Sequence, residues 1–586
     1  MRSFLKFFLA SFVALVVFSI LAFFFMIMVF ARLGTPAKVV TGANAVVVID
    51  LSNPLREQRM EDPIRDLMPF ISGEADQEPG LFDAVRLIRN AAKDDNVKGI
   101  YLKADGNANG YAASEEIRRA IADFKKSKKF VYAYAETLTQ NAYYLASAAD
   151  KVYLHPKGMM DFSGFSMTMM YLKGTLEKLE IQPQIFYNGK FKSATEPLRE
   201  TKMTEANRIQ TTAFLGELYA DFLLRVSEAR KIDTATLHRY ANEGLIMEPS
   251  DAEKYKLVDA LKYNDQVMDD IKRRLSLTGD EKVNFVSLNR YFTANPFYES
   301  SGNIALIYAD GNIVTGGDGE NIISSDDYVK TIREVRQDKD IKAIVFRVNS
   351  PGGSALASES IWRELSLARK TKPVVVSMGN YAASGGYYIS CMADSIFAEP
   401  NTLTGSIGVF AIVPNMQGFF NNKLGITFDG VKTGEFADAG NTTRPLTEKE
   451  KALFQRSVDT IYATFKQRVV EGRKLSQAVV DSISQGRVWT GVQAQKMGLV
   501  DRLGGIQAAV DCAAKMANIP EPEIAAYPRP KNKLELFLKG VGDNARADML
   551  KKELGADYKF YQTVKQLRAL TTGEVQAKLP YDMVIE

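Results

Sequence analysis

The chain repeats itself, and this constrains the fold more than any other feature. "VRLIRNAAKDDNVKGIYLKAD" (residues 85–105) matches "VKTIREVRQDKDIKAIVFRVN" (residues 329–349). "NAYYLASAADKVYLHP" (141–156) matches "GGYYISCMADSIFAEP" (385–400). "GLIMEPSDAEKYKLVDAL" (244–261) matches "GRVWTGVQAQKMGLVDRL" (486–503). The register between copies stays almost constant, so a whole domain is duplicated. The unit is far longer than the roughly 20–50 residues of a solenoid repeat.

Both halves run in the same order. An apolar run ("AVVVIDL", "NIALIYAD") precedes an amphipathic helix, and "GIYLKA" or "AIVFRV" follows. A second helix leads to "KFVYAYAE" or "KPVVVSMG", then a helix and a short strand at "KVYLHP" or "SIFAEP". Apolar strands alternating with helices predict stacked βαβ units on a largely parallel sheet, an α/β fold. Longer helices are expected around residues 204–226 and 447–470, the second opened by a Thr447/Glu450 capping box. The expected divisions are a segment 1–34, a first repeat 35–300, a second repeat 301–520 and an extension 521–586. The extension has no visible counterpart in the first half and no assigned role.

A chain of 586 residues is expected to hold two or more domains. Its charge of +4 (74 basic against 70 acidic side chains) gives no reason to invoke nucleic acid. Residues 7–30, "FFLASFVALVVFSILAFFFMIMVF", carry no charge. As a helix they reach about 36 Å, enough to cross the hydrocarbon core of a bilayer. Such a run exceeds a secretory core and no clear A-x-A site follows, so an uncleaved anchor is expected, with a cleaved signal peptide as the alternative. Arg2 and Lys6 before it favour a cytoplasmic N-terminus and a body outside the cytoplasm.

Where the halves differ, the sequence serves as its own control. In "GNYAASGGYYISC" (379–391), Ser384 follows an apolar strand; its counterpart is Gln140, and the first half lacks the Gly-Gly. The fold alone therefore does not require the serine, although a small turn residue is the plain alternative. "NSPGGSA" (349–355) stands opposite "DGNANGYA" (105–112). Pro-Gly-Gly after a buried strand predicts a tight turn with free N–H groups, able to hold an oxyanion when paired with a nearby serine. In the other direction, "YNGKFKSATEP" (187–197) places Lys192 opposite Ala437. Burial among small residues would lower the lysine pKa and make it a base; the plain alternative is one more solvated lysine.

The chain has two histidines. His155 precedes a proline opposite Glu399, and His238 lies in a polar helix; both look like ordinary positions, with His155 left open as an alternative base. A Ser–Lys dyad needs no histidine. It would explain why each half keeps only one member. Cys391 and Cys512 lie far apart and suggest neither a disulfide framework nor a metal site.

"NSPGGS", "YAASGGYYI", "GSIGV", "RVWTGVQAQKMGLVD" and "GKFKSATEP" together resemble the long, duplicated form of the signal peptide peptidase A (protease IV) family, over nearly the whole chain. The resemblance implies two tandem Clp-protease/crotonase-like domains behind one transmembrane helix. It implies Ser384 as nucleophile, Lys192 as base in preference to Lys190, and Ser406 hydrogen-bonded to the lysine amine. The first-half counterpart of Ser406 is Phe162. Gly353 and Gly385 are the expected oxyanion donors, with Gly352 a close competitor. Also implied are peptide substrates (released signal peptides), no cofactor or metal, a homo-oligomer of four copies, and a place in the bacterial inner membrane with the body on the periplasmic side. Two other functions are carried: an acyl-CoA-handling crotonase relative and a non-catalytic membrane scaffold.

Overall fold

The computed structural model describes residues 2–33, 40–59, 77–297, 301–317, 319, 321–529, 555 and 574–579. Each half builds a parallel sheet. In the first, the strands run in the order Ala260–Leu261, Lys151–Met160, Phe130–Leu138, Val97–Lys103, Ala45–Asp50, Asn284–Ser287. In the second, Arg502–Leu503, Ser395–Ala398, Val374–Ala383, Ala343–Ser354, Ile304–Val314 and Ile524–Tyr527 follow the same order, again all parallel. The central strands are buried on both faces, as their continuous apolar runs require, while the short edge strands are partly exposed.

The matching topologies correct one expectation. The strand Ile524–Tyr527, within the extension 521–586, does have a first-half counterpart, because it takes the edge position that Asn284–Ser287 takes in the first sheet. Strands this short, set in diverged flanks, leave no sequence match to find.

The duplication extends to single hydrogen bonds. Tyr143 Oη donates to Leu257 O at 2.6 Å, and Tyr387 Oη to Leu499 O at 3.0 Å. Tyr144 Oη donates to Glu115 at 2.7 Å, and Tyr388 Oη to Glu359 at 2.6 Å. The long helices Glu205–Arg230 and Glu448–Arg473 both begin at a threonine cap, Thr204 and Thr447. In the second, Glu450 returns the bond to the Thr447 N–H and completes the expected capping box.

The halves are locked together. Arg347, fully buried in the second sheet, pairs with Glu57 and Glu116 of the first half, each at 2.8 Å. Arg119 reaches across to the buried Glu399 at 2.6 Å. Most consequential is a crossing arm. Strand Gln182–Asn188 leaves the first half and pairs antiparallel with Val409–Asn415 of the second, from Gln182↔Asn415 to Asn188↔Val409. The next residues, 189–195, therefore enter the second half.

Before all this stands one helix, Arg2–Leu33, whose stretch Lys6–Phe25 is long and apolar enough to cross a membrane. The side chains of residues 6–25 touch no other part of the chain closely enough to be buried.

Candidate active site

Ser384 sits where strand Val374–Ala383 turns sharply into the short helix Gly385–Ser390. Its backbone lies at φ 55°, ψ −113°, a conformation that costs a non-glycine residue about 1–3 kcal/mol. Two backbone bonds hold it there: Ser384 N–H donates to Gly405 O at 2.8 Å, and Tyr388 N–H to Ser384 O at 2.8 Å. The turn aims the hydroxyl at the crossing arm.

Lys192 lies on that arm, 1% exposed. Its Nζ stands 2.8 Å from Ser384 Oγ, 3.1 Å from Ser406 Oγ and 3.2 Å from the Ser406 carbonyl oxygen. Burial alone pushes the amine well below the ordinary lysine range, with no carboxylate beside it to restore the charged form. A neutral amine has two N–H donors and one lone pair. Ser406 offers two acceptors for the N–H groups, which leaves the lone pair for the Ser384 hydroxyl proton. Lys190, the other lysine of the motif, is exposed.

Sequence reasoning missed the residues that fix this arm. Gln210, from the helix Glu205–Arg230, donates to Phe191 O at 3.0 Å and Ser193 Oγ at 3.1 Å, and accepts from Val488 N–H at 3.2 Å. It clamps both sides of Lys192. Gly486, at φ +75°, passes so close that a Cβ there would lie 2.7 Å from Lys192 Cβ. A glutamine in the middle of an amphipathic helix gives no local signal. Gly486 lies in a quoted motif, but its neighbour across space was not visible.

The Pro-Gly-Gly segment departs from expectation. It is no tight turn but the irregular end of strand Ala343–Ser354, paired with Ile304–Val314 on one side and with Gln576–Lys578 on the other. Gly352, at φ +99°, lies so near Gly385 that a Cβ on it would stand 2.7 Å from Gly385 N. A Cβ on Gly385 would in turn stand 3.1 Å from Gly353 N. The backbone nitrogens of Gly353 and Gly385 thus line one small space beside Ser384. Glycine is required at 352 for that approach.

The same places in the first half are closed. Gln140 ties to the Gly164 backbone with bonds of 2.8 and 2.9 Å, where Ser384 Oγ lies 3.3 Å from the equivalent Gly408 O. Asn141, in place of Gly385, donates to Asn107 O and Asn109 O at 3.1 and 2.9 Å. Phe162, in place of Ser406, joins an aromatic cluster with Tyr143 and Phe222. Neither histidine is among the hydrogen-bond partners of Ser384 in the described residues. His155 Nδ1 accepts from Lys157 N–H and its ring meets Tyr263, while His238 meets Tyr219. Cys391 is buried, its thiol pushed up to about 12 by desolvation; both cysteines are free. No cluster of metal-ligating side chains occurs among the described residues.

A buried lysine against a strained serine, with backbone N–H groups alongside, is an arrangement that can support acyl transfer without a histidine. The model for peptidase family S49 matches the chain twice, at residues 123–278 and 366–520. Protease 4 of Salmonella typhi is 35% identical over 90% of this chain and 88% of its own length. Protease 4 of Haemophilus influenzae is 34% identical over 83% and 82%. The chloroplastic serine protease SPPA of Arabidopsis thaliana is 34% identical over 78% and 68%. The chain belongs to peptidase family S49 and is a serine peptidase that acts on peptides. The acyl-CoA-handling and scaffold alternatives fall with that membership.

Proposed function

We propose that the chain is a membrane-anchored endopeptidase that uses a Ser384–Lys192 dyad to degrade released signal peptides and other apolar peptides. The observation that carries this is the 2.8 Å contact between Ser384 Oγ and a lysine whose proton affinity burial lowers well below the ordinary range. Lys192 takes the Ser384 proton as Oγ attacks the scissile carbonyl. The N–H groups of Gly353 and Gly385 receive the developing oxyanion. Lys192 then gives its proton to the leaving amine, and water, deprotonated by the same amine, clears the acyl-enzyme. Ser406 keeps the amine oriented throughout. No step calls for a metal or nucleotide.

The helix Arg2–Leu33 is read as the anchor, with Arg2 and Lys6 on the cytoplasmic side of the bacterial inner membrane and the body on the periplasmic side. This would hold the site where released signal peptides lie.

A homo-oligomer, with four copies as the family expectation, draws support from an unmatched half of the pseudo-symmetry. The first-half arm Gln182–Asn188 has found its strand, Val409–Asn415. The equivalent second-half arm, around residues 427–433, and the equivalent receiving segment, around 165–171, are in no strand. Phe428 is 53% exposed and Val431 fully so, and Met170 is 57% exposed. A second copy docked head to tail would pair them as the first pair is paired, and repetition would close a ring.

The test is digestion of synthetic signal peptides by the detergent-purified chain. Cuts inside the apolar core, absent from Ser384→Ala, are expected. A chain that cleaves only polar peptides would contradict the substrate assignment.

A further inference from the structure

The arm that delivers Lys192 hangs on a run of buried side chains that ends at a carboxylate. Helix Glu205–Arg230 starts at its cap, Thr204, and carries Asn207 and Gln210 three residues apart on one face. Gln210 Nε2 donates to Phe191 O and Ser193 Oγ, and also to Asn207 Oδ1 at 3.0 Å. Asn207 Nδ2 in turn donates to Glu196 Oε2 at 2.8 Å. The Glu196 carboxylate also accepts from the Thr204 hydroxyl and from Thr204 N–H. Glu196, Asn207 and Gln210 are each 2% exposed. Beside the carboxylate stand Arg199, 4.0 Å from Oε1, and Tyr171, whose hydroxyl is pushed up to about 12 by burial and by Glu196.

The links fit one way round. The Phe191 carbonyl can only accept and the Val488 N–H can only donate, so Gln210 must turn Nε2 to the arm and Oε1 to Val488. Asn207 must then offer Oδ1 to Gln210 and Nδ2 to whatever follows. The last member has to accept, and a buried carboxylate facing donors does so. The matching helix of the second half is built differently. Its residue three after the cap, Glu450, turns back on the cap N–H and pairs with Arg444. Asn207 holds that place in the half with the lysine, and it turns to Glu196 instead.

Resting on the dyad reading above, we propose that Glu196 is a positioning residue for the reaction. Through Asn207 and Gln210 it fixes the Phe191 carbonyl and the Ser193 hydroxyl, and so keeps the Lys192 amine aimed at the Ser384 hydroxyl. It acts through these two residues and not on the reacting atoms. Its loss leaves the base present but loosely aimed, which lowers turnover and spares binding.

The test is kcat and KM against pH for a peptide reporter, with the full chain purified in detergent. Glu196→Ala should lower kcat about 10- to 100-fold with KM little changed. Adding Gln210→Ala to it should cost little more, because both cut one run of bonds. Asn207→Asp sets a second carboxylate against Glu196. While the two share a proton, Glu196 can donate it and the new carboxylate can still accept from Gln210. Once pH rises and that proton leaves, the like charges repel and the run of bonds opens. The kcat of Asn207→Asp should therefore fall with rising pH, opposite in sense to the lysine limb. Adding Glu196→Gln supplies an N–H that does not titrate; it should abolish the fall and bring kcat back near wild type. A role in folding alone would not reverse a pH limb. Should Glu196→Ala fail to fold, the Asn207→Asp pair decides. Glu196→Ala at wild-type kcat, losses that multiply with Gln210→Ala, or no rescue of Asn207→Asp by Glu196→Gln would each overturn this inference alone. Wild-type turnover in Lys192→Ala, run beside them, would overturn the dyad reading as well.

Discussion

Lys192 and Ser384 are 192 positions apart in the chain and 2.8 Å apart in space, joined because one strand of the first half pairs with the sheet of the second. The contact forms within a single chain. Its chemistry depends on the amine being neutral, and burial is what lowers its proton affinity.

The pH dependence follows with a definite sign. Below its lowered pKa the amine is protonated and cannot accept the Ser384 proton. Activity should therefore fall as pH drops through that value and reach its plateau below the ordinary lysine value of about 10.4. A kcat/KM profile checks this. A limb still rising through 10.4 would mean that the lysine is not desolvated. Ser406→Asp, by placing a carboxylate beside the amine, should move the limb to higher pH.

Positioning residues should act on turnover rather than on binding. Ser406→Ala removes one acceptor from the Lys192 amine, and Gln210→Ala releases the Phe191 carbonyl and the Ser193 hydroxyl on either side of it. Each should lower kcat by about 10- to 100-fold with KM little changed, as small misplacements of a base do. Steady-state kinetics on a peptide reporter reads both.

Arg347 is a stability element, remote from the reaction. It is fully buried between Glu57 and Glu116, so Arg347→Met leaves two buried carboxylates without their partner. The expected loss is about 3–5 kcal/mol in denaturant unfolding. Adding Glu57→Gln and Glu116→Gln should return most of it. A loss under about 1 kcal/mol would show that the pair does not hold the halves together.

Assembly should depend on the unmatched arm. Val431→Asp and Phe428→Asp place charge where a neighbouring copy would pair, and should convert the oligomer to monomer in light scattering. A dyad complete within one chain predicts that probe labelling of Ser384 survives in those monomers.

Much of this was legible in the sequence, because duplication separates what the fold needs from what one half adds. The paired tyrosines 143–144 and 387–388 set the alignment for Ser384 and Ser406, and Gly189 against Gly434 set it for Lys192; all three stood out as one-sided. Other parts left no such contrast. Gln210 acts through a tertiary contact that no helix periodicity reveals. Pro-Gly-Gly suggests a turn locally, and only cross-strand pairing makes it the end of a strand. Ile524–Tyr527 and Gln576–Lys578 are too short to match anything, and their partners lie more than 160 residues away in sequence.

The most direct measurement is the rate of covalent labelling of Ser384 by a serine-reactive phosphonate, in wild type and Lys192→Ala, with peptide mapping of the adduct. Wild type should label at Ser384, more slowly as pH falls, while Lys192→Ala loses at least about 10³-fold in labelling and in turnover. Labelling of Lys192→Ala at the wild-type rate, or an adduct on a serine other than Ser384, would contradict the dyad.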